Sequence, residues 1–488
     1  MAQSDVGNAD ASDAAGDAGA VLSSAARHAI AYRTAPQESQ CAQASYAQSV
    51  ASFDDPLPEQ GEPAEQVLDE LVRRAVPGLH ASTGPRFFGW VIGNSHPVGV
   101  AADWLTSAWG QNTANHVAAP AAAAAETVAA RWLLEVLRLP AACSLGFVTG
   151  ATMASFVGLA AARGEVLRRA GWDVEAQGLF GAPPVRVLIG AEAHASVFSA
   201  LHYLGFGKAS LLRVPADPQG VMDVDAFETI LARDVPEGAP LIVVTQAGHI
   251  HTGAVDAHER IVPLAQARGG WVHVDGAFGL WARACPARAH LAQGLEAADS
   301  WATDGHKWLQ TPFDCGYVIV RDAEAHRRAM TIAASYLPAV SEHERDPSHY
   351  VPELSRRARG FATWALLRHF GRNGIAAMVE RHCAQARLLA ALLAAEPGIA
   401  VLNEVVLNQV AVRFGTDADE AVGDALTLAA IAALQQEGTC FAGSAKWRGR
   451  WILRLSIIGA STTEDDIRLS AQAIVRAWRR VASGSATG

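Results

Sequence analysis

The chain has 488 residues, half of them hydrophobic and 18% charged, with a formal net charge of −10. That composition supports a large core and roughly three units of about 150 residues, and it excludes a wholly disordered chain. The acidic balance is a poor match to nucleic acid or an anionic membrane, and six widely spaced cysteines without a CxxC pair argue against a zinc ribbon or disulfide framework and suit a reducing cytoplasm.

Taken in chain order, residues 1–26 are Ala, Asp, Ser and Gly with few large apolar side chains, and they read as a disordered leader without the basic start and apolar middle of a secretory signal. Residues 27–90 read as a mostly helical N-terminal segment. The Ala-rich run 118–137 carries Glu126, Arg131 and Glu135 and reads as a helix in water; no uncharged apolar stretch is long enough to span a membrane. Residues 91–374 form the expected large domain. Within it, β-rich runs at 145–149, 185–190, 241–246, 271–275 and 316–320 alternate with helical periodicity, as at 152–170 and 256–268. Nearly all-apolar strands alternating with helices predict an α/β fold: a mostly parallel sheet covered on both faces, with ligands outside the carboxyl ends of the strands. Beyond 375 a helix (375–396), a strand (405–414), a helix (420–437), a strand (451–457) and a last helix (463–482) predict a smaller α+β domain over 375–482.

Chemistry is therefore sought just after each strand. Lysine occurs only at 208, 307 and 446, while the other 36 basic residues are Arg, so a reaction that needs an amine has three candidates. Lys307 sits in Asp304-Gly305-His306-Lys307-Trp308, and a lysine tuned by burial condenses with an aldehyde. Asp275 ends the apolar run 271–274, where a carboxylate either serves a cofactor or caps the next turn. Thr149-Gly150-Ala151-Thr152 joins a strand to a helix, giving either a phosphate cradle of backbone N–H groups with the Thr152 hydroxyl or an ordinary helix cap. His194, in Ala193-His194-Ala195-Ser196, either stacks on an aromatic ring or is a structural histidine. Gln246 ends a further strand.

As a set, these segments resemble the group II pyridoxal phosphate (PLP)-dependent amino-acid decarboxylases, most closely the aromatic-L-amino-acid type, from about Gly84 to Gly374. The matching stretches include Pro85-Arg86-Phe87-Phe88-Gly89, Ala119-Pro120 with Glu126, Gly253-Ala254-Val255-Asp256, His273-Val274-Asp275-Gly276-Ala277, Asp299-Ser300 leading to His306-Lys307-Trp308, and Ser355-Arg356-Arg357. The resemblance implies a PLP-dependent transferase type I fold. It also implies decarboxylation of an L-amino acid, aromatic side chain favoured, to amine and CO2 through an external aldimine and a quinonoid. Lys307 would carry the cofactor, Asp275 pair with its pyridine nitrogen and His194 stack on its ring. Ala151 and Thr152, with His306 nearby, would hold the phosphate; Ala277 would leave room beside the ring and Gln246 stand near its polar edge. Tyr336 would return the proton to the carbanion. Trp90, Ile92 and Phe313 suggest an apolar substrate pocket, although core packing explains them equally. A cytoplasmic homodimer with its active site at the subunit interface is implied, without metal, nucleic-acid or membrane partners. The sequence departs from the family at Asp304, where aromatic enzymes have Asn, and at Gln246, where Thr is usual. A transaminase, a decarboxylating aldehyde synthase and a non-catalytic PLP-binding protein are the competing readings.

Overall fold

Apolar side chains alternate across each strand so that both faces of one sheet are buried, and helices cover both. In the computed structural model, which describes residues 11–35, 39–331, 344–415 and 419–485, the large sheet has seven strands. They are β1 (Ser144–Val148), β2 (Arg186–Gly190), β3 (Leu211–Val214), β4 (Leu241–Gln246), β5 (Trp271–Asp275), β6 (Ser300–Asp304) and β7 (Gly316–Val320), in the order β1-β7-β6-β5-β4-β2-β3. The pairs among β2–β6 are parallel; β7 runs antiparallel to both β6 and β1. The period of two is visible in β4. Ile242 and Val244 pack with Val157 and Ala161 of the helix Ala151–Arg169, whereas Val243 packs with Ile261, Val262 and Ala265 of the helix His258–Ala267.

The smaller sheet contains β8 (Ile399–Val401), β9 (Gln409–Phe414), β10 (Gly443–Trp447) and β11 (Arg450–Ser456), all antiparallel in the order β10-β11-β9-β8. Helices Glu420–Glu437 and Glu464–Ser485 pack together and enclose its core. Arg448 and Gly449, both at positive φ (50° and 84°), close the β10–β11 hairpin as its two-residue turn.

Three expectations are corrected. Residues 11–26, expected to be disordered, lie within the helix Ala11–Thr34, because an alanine-rich stretch has high helix propensity, and Ser24 is buried. The helix expected at 375–396 begins a little earlier, as the later part of the helical stretch Gly360–Ala394, which a non-helical Gly371 (φ 59°) breaks in two near the expected domain boundary. Strands β3, β6, β8 and β10 went unread: β6 is interrupted by Ser300, Thr303 and Asp304, and the others are short or half-exposed. Among the described residues no helix is long and apolar enough to cross a membrane.

Five of the six cysteines are buried, Cys41 being half-buried, and all six are free thiols. Burial pushes Cys143 up to about 11 and Cys383 and Cys440 to about 12.

Candidate active site

The carboxyl ends of β4, β5 and β6 open into a cleft of about 440 Å³. Lys307, Asp275, His194, Ala151, Thr152, Ala277, His306, Gln246, Trp90, Ile92 and Phe313 all line it. Tyr336 lies outside the described residues. A larger cavity, about 580 Å³, lies against the helix Ala11–Thr34; its two arginines, Arg33 and Arg86, are already engaged by backbone carbonyls.

Asp275 is the last residue of β5 and is 7% exposed. Its Oδ1 accepts the Ala277 N–H at 3.2 Å. Burial raises its pKa, and the charges of His194 and Lys307 oppose that rise, so its carboxylate is stabilised by a cation placed against it. Lys307 follows β6 on a tight turn. Its Nζ lies 2.9 Å from Asp304 Oδ2. Gln310, at φ 64°, holds this turn in place: its Nε2 donates to the carbonyls of Lys307 (2.9 Å) and Ile458 (2.7 Å), and its Oε1 accepts the Asn94 N–H (3.0 Å). The Gly93 N–H also donates to the His306 carbonyl at 2.9 Å. The 90–94 loop that carries Trp90 and Ile92 is thereby stitched to the lysine turn.

His194 caps the helix Ala195–Tyr203. Its Nδ1 accepts the Ser196 N–H at 3.3 Å and lies 2.6 Å from Ser196 Oγ, which leaves Nε2 for the cleft. Loss of solvation lowers its pKa, against the pull of Asp275. His306, lowered in the same way, packs at a tilt against Phe313 with ring centroids 4.4 Å apart. Trp90 and Phe313 are 55% and 56% exposed at the mouth. Trp90 and Val91 both adopt left-handed backbone (φ 52° and 58°), a conformation that costs each about 1–3 kcal/mol and recurs at functional sites. Gln246 is held through its backbone N–H, which donates to Asp256 Oδ2 at 2.7 Å, and its Nε2 donates to the Gly220 carbonyl at 3.2 Å.

The helix Ala151–Arg169 starts at the cleft. Thr152 is exposed there, and a Cβ on Gly150 would crowd His306 Cε1 at 3.2 Å and Asp304 Oδ1 at 3.3 Å, so glycine keeps the approach open. A helix N-terminus with its backbone N–H groups and the Thr152 hydroxyl facing the cleft suits a phosphate, although the Ala151 N–H donates to Asp304 Oδ1. With a lysine amine and a buried carboxylate across the same cleft, the residues fit PLP: Lys307 for its aldehyde carbon, Asp275 for its ring nitrogen, Ala151 and Thr152 for its phosphate.

Three features escaped the sequence reading. Glu192, two residues before His194, accepts from Trp447 Nε1 (2.8 Å) and Arg448 Nε (2.6 Å) and lies 3.2 Å from His249 Nε2, tying the small-domain hairpin to the cleft wall. Burial pushes the Glu192 carboxyl up, but these partners hold it down at about 2. Arg454 on β11 lies close enough to His194 and His251 to lower the pKa of both, and its guanidinium makes no hydrogen bond or ion pair among the described residues. Glu126 and Arg356, quoted above as separate motifs, form an ion pair at 2.9 Å with both side chains 1% exposed. Arg356 Nη2 also donates to the Phe147 carbonyl at 2.8 Å. Only the position of Glu192 near a strand end carried a signal; the other contacts depend on tertiary packing.

The family model described as the pyridoxal-dependent decarboxylase conserved domain matches residues 47–415. The chain is 28% identical over 430 residues to the aromatic-L-amino-acid decarboxylase of Sus scrofa, covering 85% of this chain and 86% of that one. It is 25% identical over 428 residues to the phenylacetaldehyde synthase of Arabidopsis thaliana, covering 84% and 85%. Its fold is similar to the crystal structure of Oryza sativa TDC with PLP and tryptamine, with a TM-score of 0.86 at 23% identity, covering 97% of this chain and 99% of that one. The chain belongs to the pyridoxal-dependent decarboxylase family. It is a carboxy-lyase that acts on an amino acid with PLP as cofactor.

Proposed function

We propose that this enzyme converts an L-amino acid with an aromatic side chain to its amine and CO2. The observation that carries this reading is the cleft itself, where Lys307, Asp275 and His194 meet beneath a mouth walled by Trp90, Ile92 and Phe313. The cofactor, when bound, supplies an electron sink for the bond to the departing carboxylate. The protein's own residues do the rest. Lys307 presents its amine to the cofactor carbonyl. Asp275 holds a proton at the ring nitrogen, the cation that its buried carboxylate requires. His194 would pack against the ring, with Ser196 fixing its imidazole. Arg454, close to His194 and His251, is a positive charge suited to attracting a carboxylate. Trp90 and Phe313 cover an apolar side chain and keep water out, so that a proton reaches only the intended atom. The family resemblance assigns that proton to the phenol of Tyr336.

The test is a screen of amino acids with PLP-loaded protein, measuring CO2, amine, aldehyde, ammonia and peroxide. Amine equal to CO2, with aromatic substrates preferred, is the expected result. Aldehyde with ammonia and peroxide would establish the aldehyde-synthase reading, which the similarity to phenylacetaldehyde synthase favours. Tyr336→Phe is expected to move product from amine toward aldehyde, and an unchanged ratio would remove that role.

The reading extends to assembly. Leu105, Trp109 and Trp364 are 49%, 51% and 40% exposed and line one apolar hollow between helices. An apolar patch of this kind supports a homodimer, and a catalytically competent monomer in sedimentation would refute the dimer.

A further inference from the structure

The cradle just described already contains an anion. Asp304, at the end of β6, has a side chain 3% exposed. Its Oδ1 accepts the Ala151 N–H at 2.6 Å, the first amide of the helix that would receive the cofactor's phosphate. Its Oδ2 lies 2.9 Å from Lys307 Nζ, and His306 Nε2 lies 3.7 Å from Oδ1. The carboxylate cannot easily retreat. A Cβ on Gly316 would sit 3.0 Å from Oδ1, and one on Gly150 3.3 Å, so the backbone already closes tightly around it.

One N–H cannot be donated fully to two anions, and two negative groups at one buried helix end repel each other. When Lys307 turns to the cofactor carbonyl, Asp304 also loses its nearest cation. We infer that Asp304 is a built-in competitor of the cofactor's phosphate: it weakens the hold on that end and makes the cofactor exchangeable. The inference rests on the PLP reading above. An amide at this position would keep the acceptor for Ala151, remove the charge and add a donor toward the phosphate.

The experiment compares wild-type apoprotein with Asp304→Asn, titrated with PLP, with pyridoxal (which lacks the phosphate) and with inorganic phosphate. Visible absorbance follows the two aldehydes and thermal shift follows phosphate. The expected result is PLP binding at least tenfold tighter in Asp304→Asn, tighter inorganic phosphate, and pyridoxal within about twofold of wild type. Unchanged or weaker PLP binding by the variant would overturn the inference. An equal shift for PLP and pyridoxal would also overturn it, placing the effect on Lys307. Asp304→Ser, which retains an acceptor for Ala151 without the charge, decides the matter in the same way if the Asn variant does not fold. The PLP reading fails separately, if wild-type protein and variant alike give no Lys307-dependent absorbance with either aldehyde.

Discussion

Two titratable side chains two residues apart on one strand meet opposite fates. His273 lies in the middle of β5 and is fully buried, with its Nδ1 2.8 Å from Ser300 Oγ. A Cβ on Gly158 of the covering helix would be 2.9 Å from that imidazole. Burial alone pushes His273 down to about 3, so it is neutral and acts as packing. Asp275 points to the same side of the strand, but at its end, where His194 and Lys307 supply opposing charge. Burial pushes both groups toward their neutral forms, but only at the carboxyl rim do neighbouring charges oppose it, so position along the strand decides whether a buried polar group has charge partners and faces a ligand.

The comparison breaks most sharply at the rim. Lys307→Ala is expected to abolish the visible absorbance of bound cofactor and to lower decarboxylation by at least about 10³-fold. Lys208→Ala and Lys446→Ala should leave both unchanged. Asp275→Asn is expected to lower kcat by about 10²–10⁴-fold, with a melting temperature equal to or above that of wild type, since it removes a buried carboxyl. In the interior the pattern reverses: His273→Ala is expected to cost about 2–4 kcal/mol in urea unfolding while the cofactor absorbance persists per folded molecule.

The smallest effect is a pH dependence. His273, His326 and His382 are held at about 3 and His258 at about 4. An unfolded imidazole titrates near about 6.5. Below that pH the unfolded chain takes up protons that the folded chain refuses, so stability is fully present above about 6.5 and declines as pH falls toward the folded values. Thermal unfolding between pH 7 and 4 should show a steadily falling midpoint, and a flat profile would contradict the neutral assignment.

Much of this was legible because strand ends can be read from apolar runs. Asp275 closes such a run, His194 and Gln246 follow or end two others, and all three line the cleft. Lys307 was conspicuous because lysine is so scarce here. What escaped depended on tertiary contacts or on local patterns that mislead. The polar residues of β6 hid a central strand. The composition of residues 11–26 suggested disorder, but alanine favours helix when neighbours are present to pack against. Arg454 lies on a strand of the other domain, and Glu126 meets Arg356 across 230 positions of sequence; no local pattern announces either contact.

The buried cysteines give the protein five silent reporters. A thiol shielded from solvent does not react with an alkylating reagent until its surroundings open. Cys440 sits in the core of the small domain and Cys315 in that of the large sheet, beside the lysine turn. Pulse alkylation read by mass spectrometry therefore times the opening of each domain in the unmodified chain, without a single introduced label.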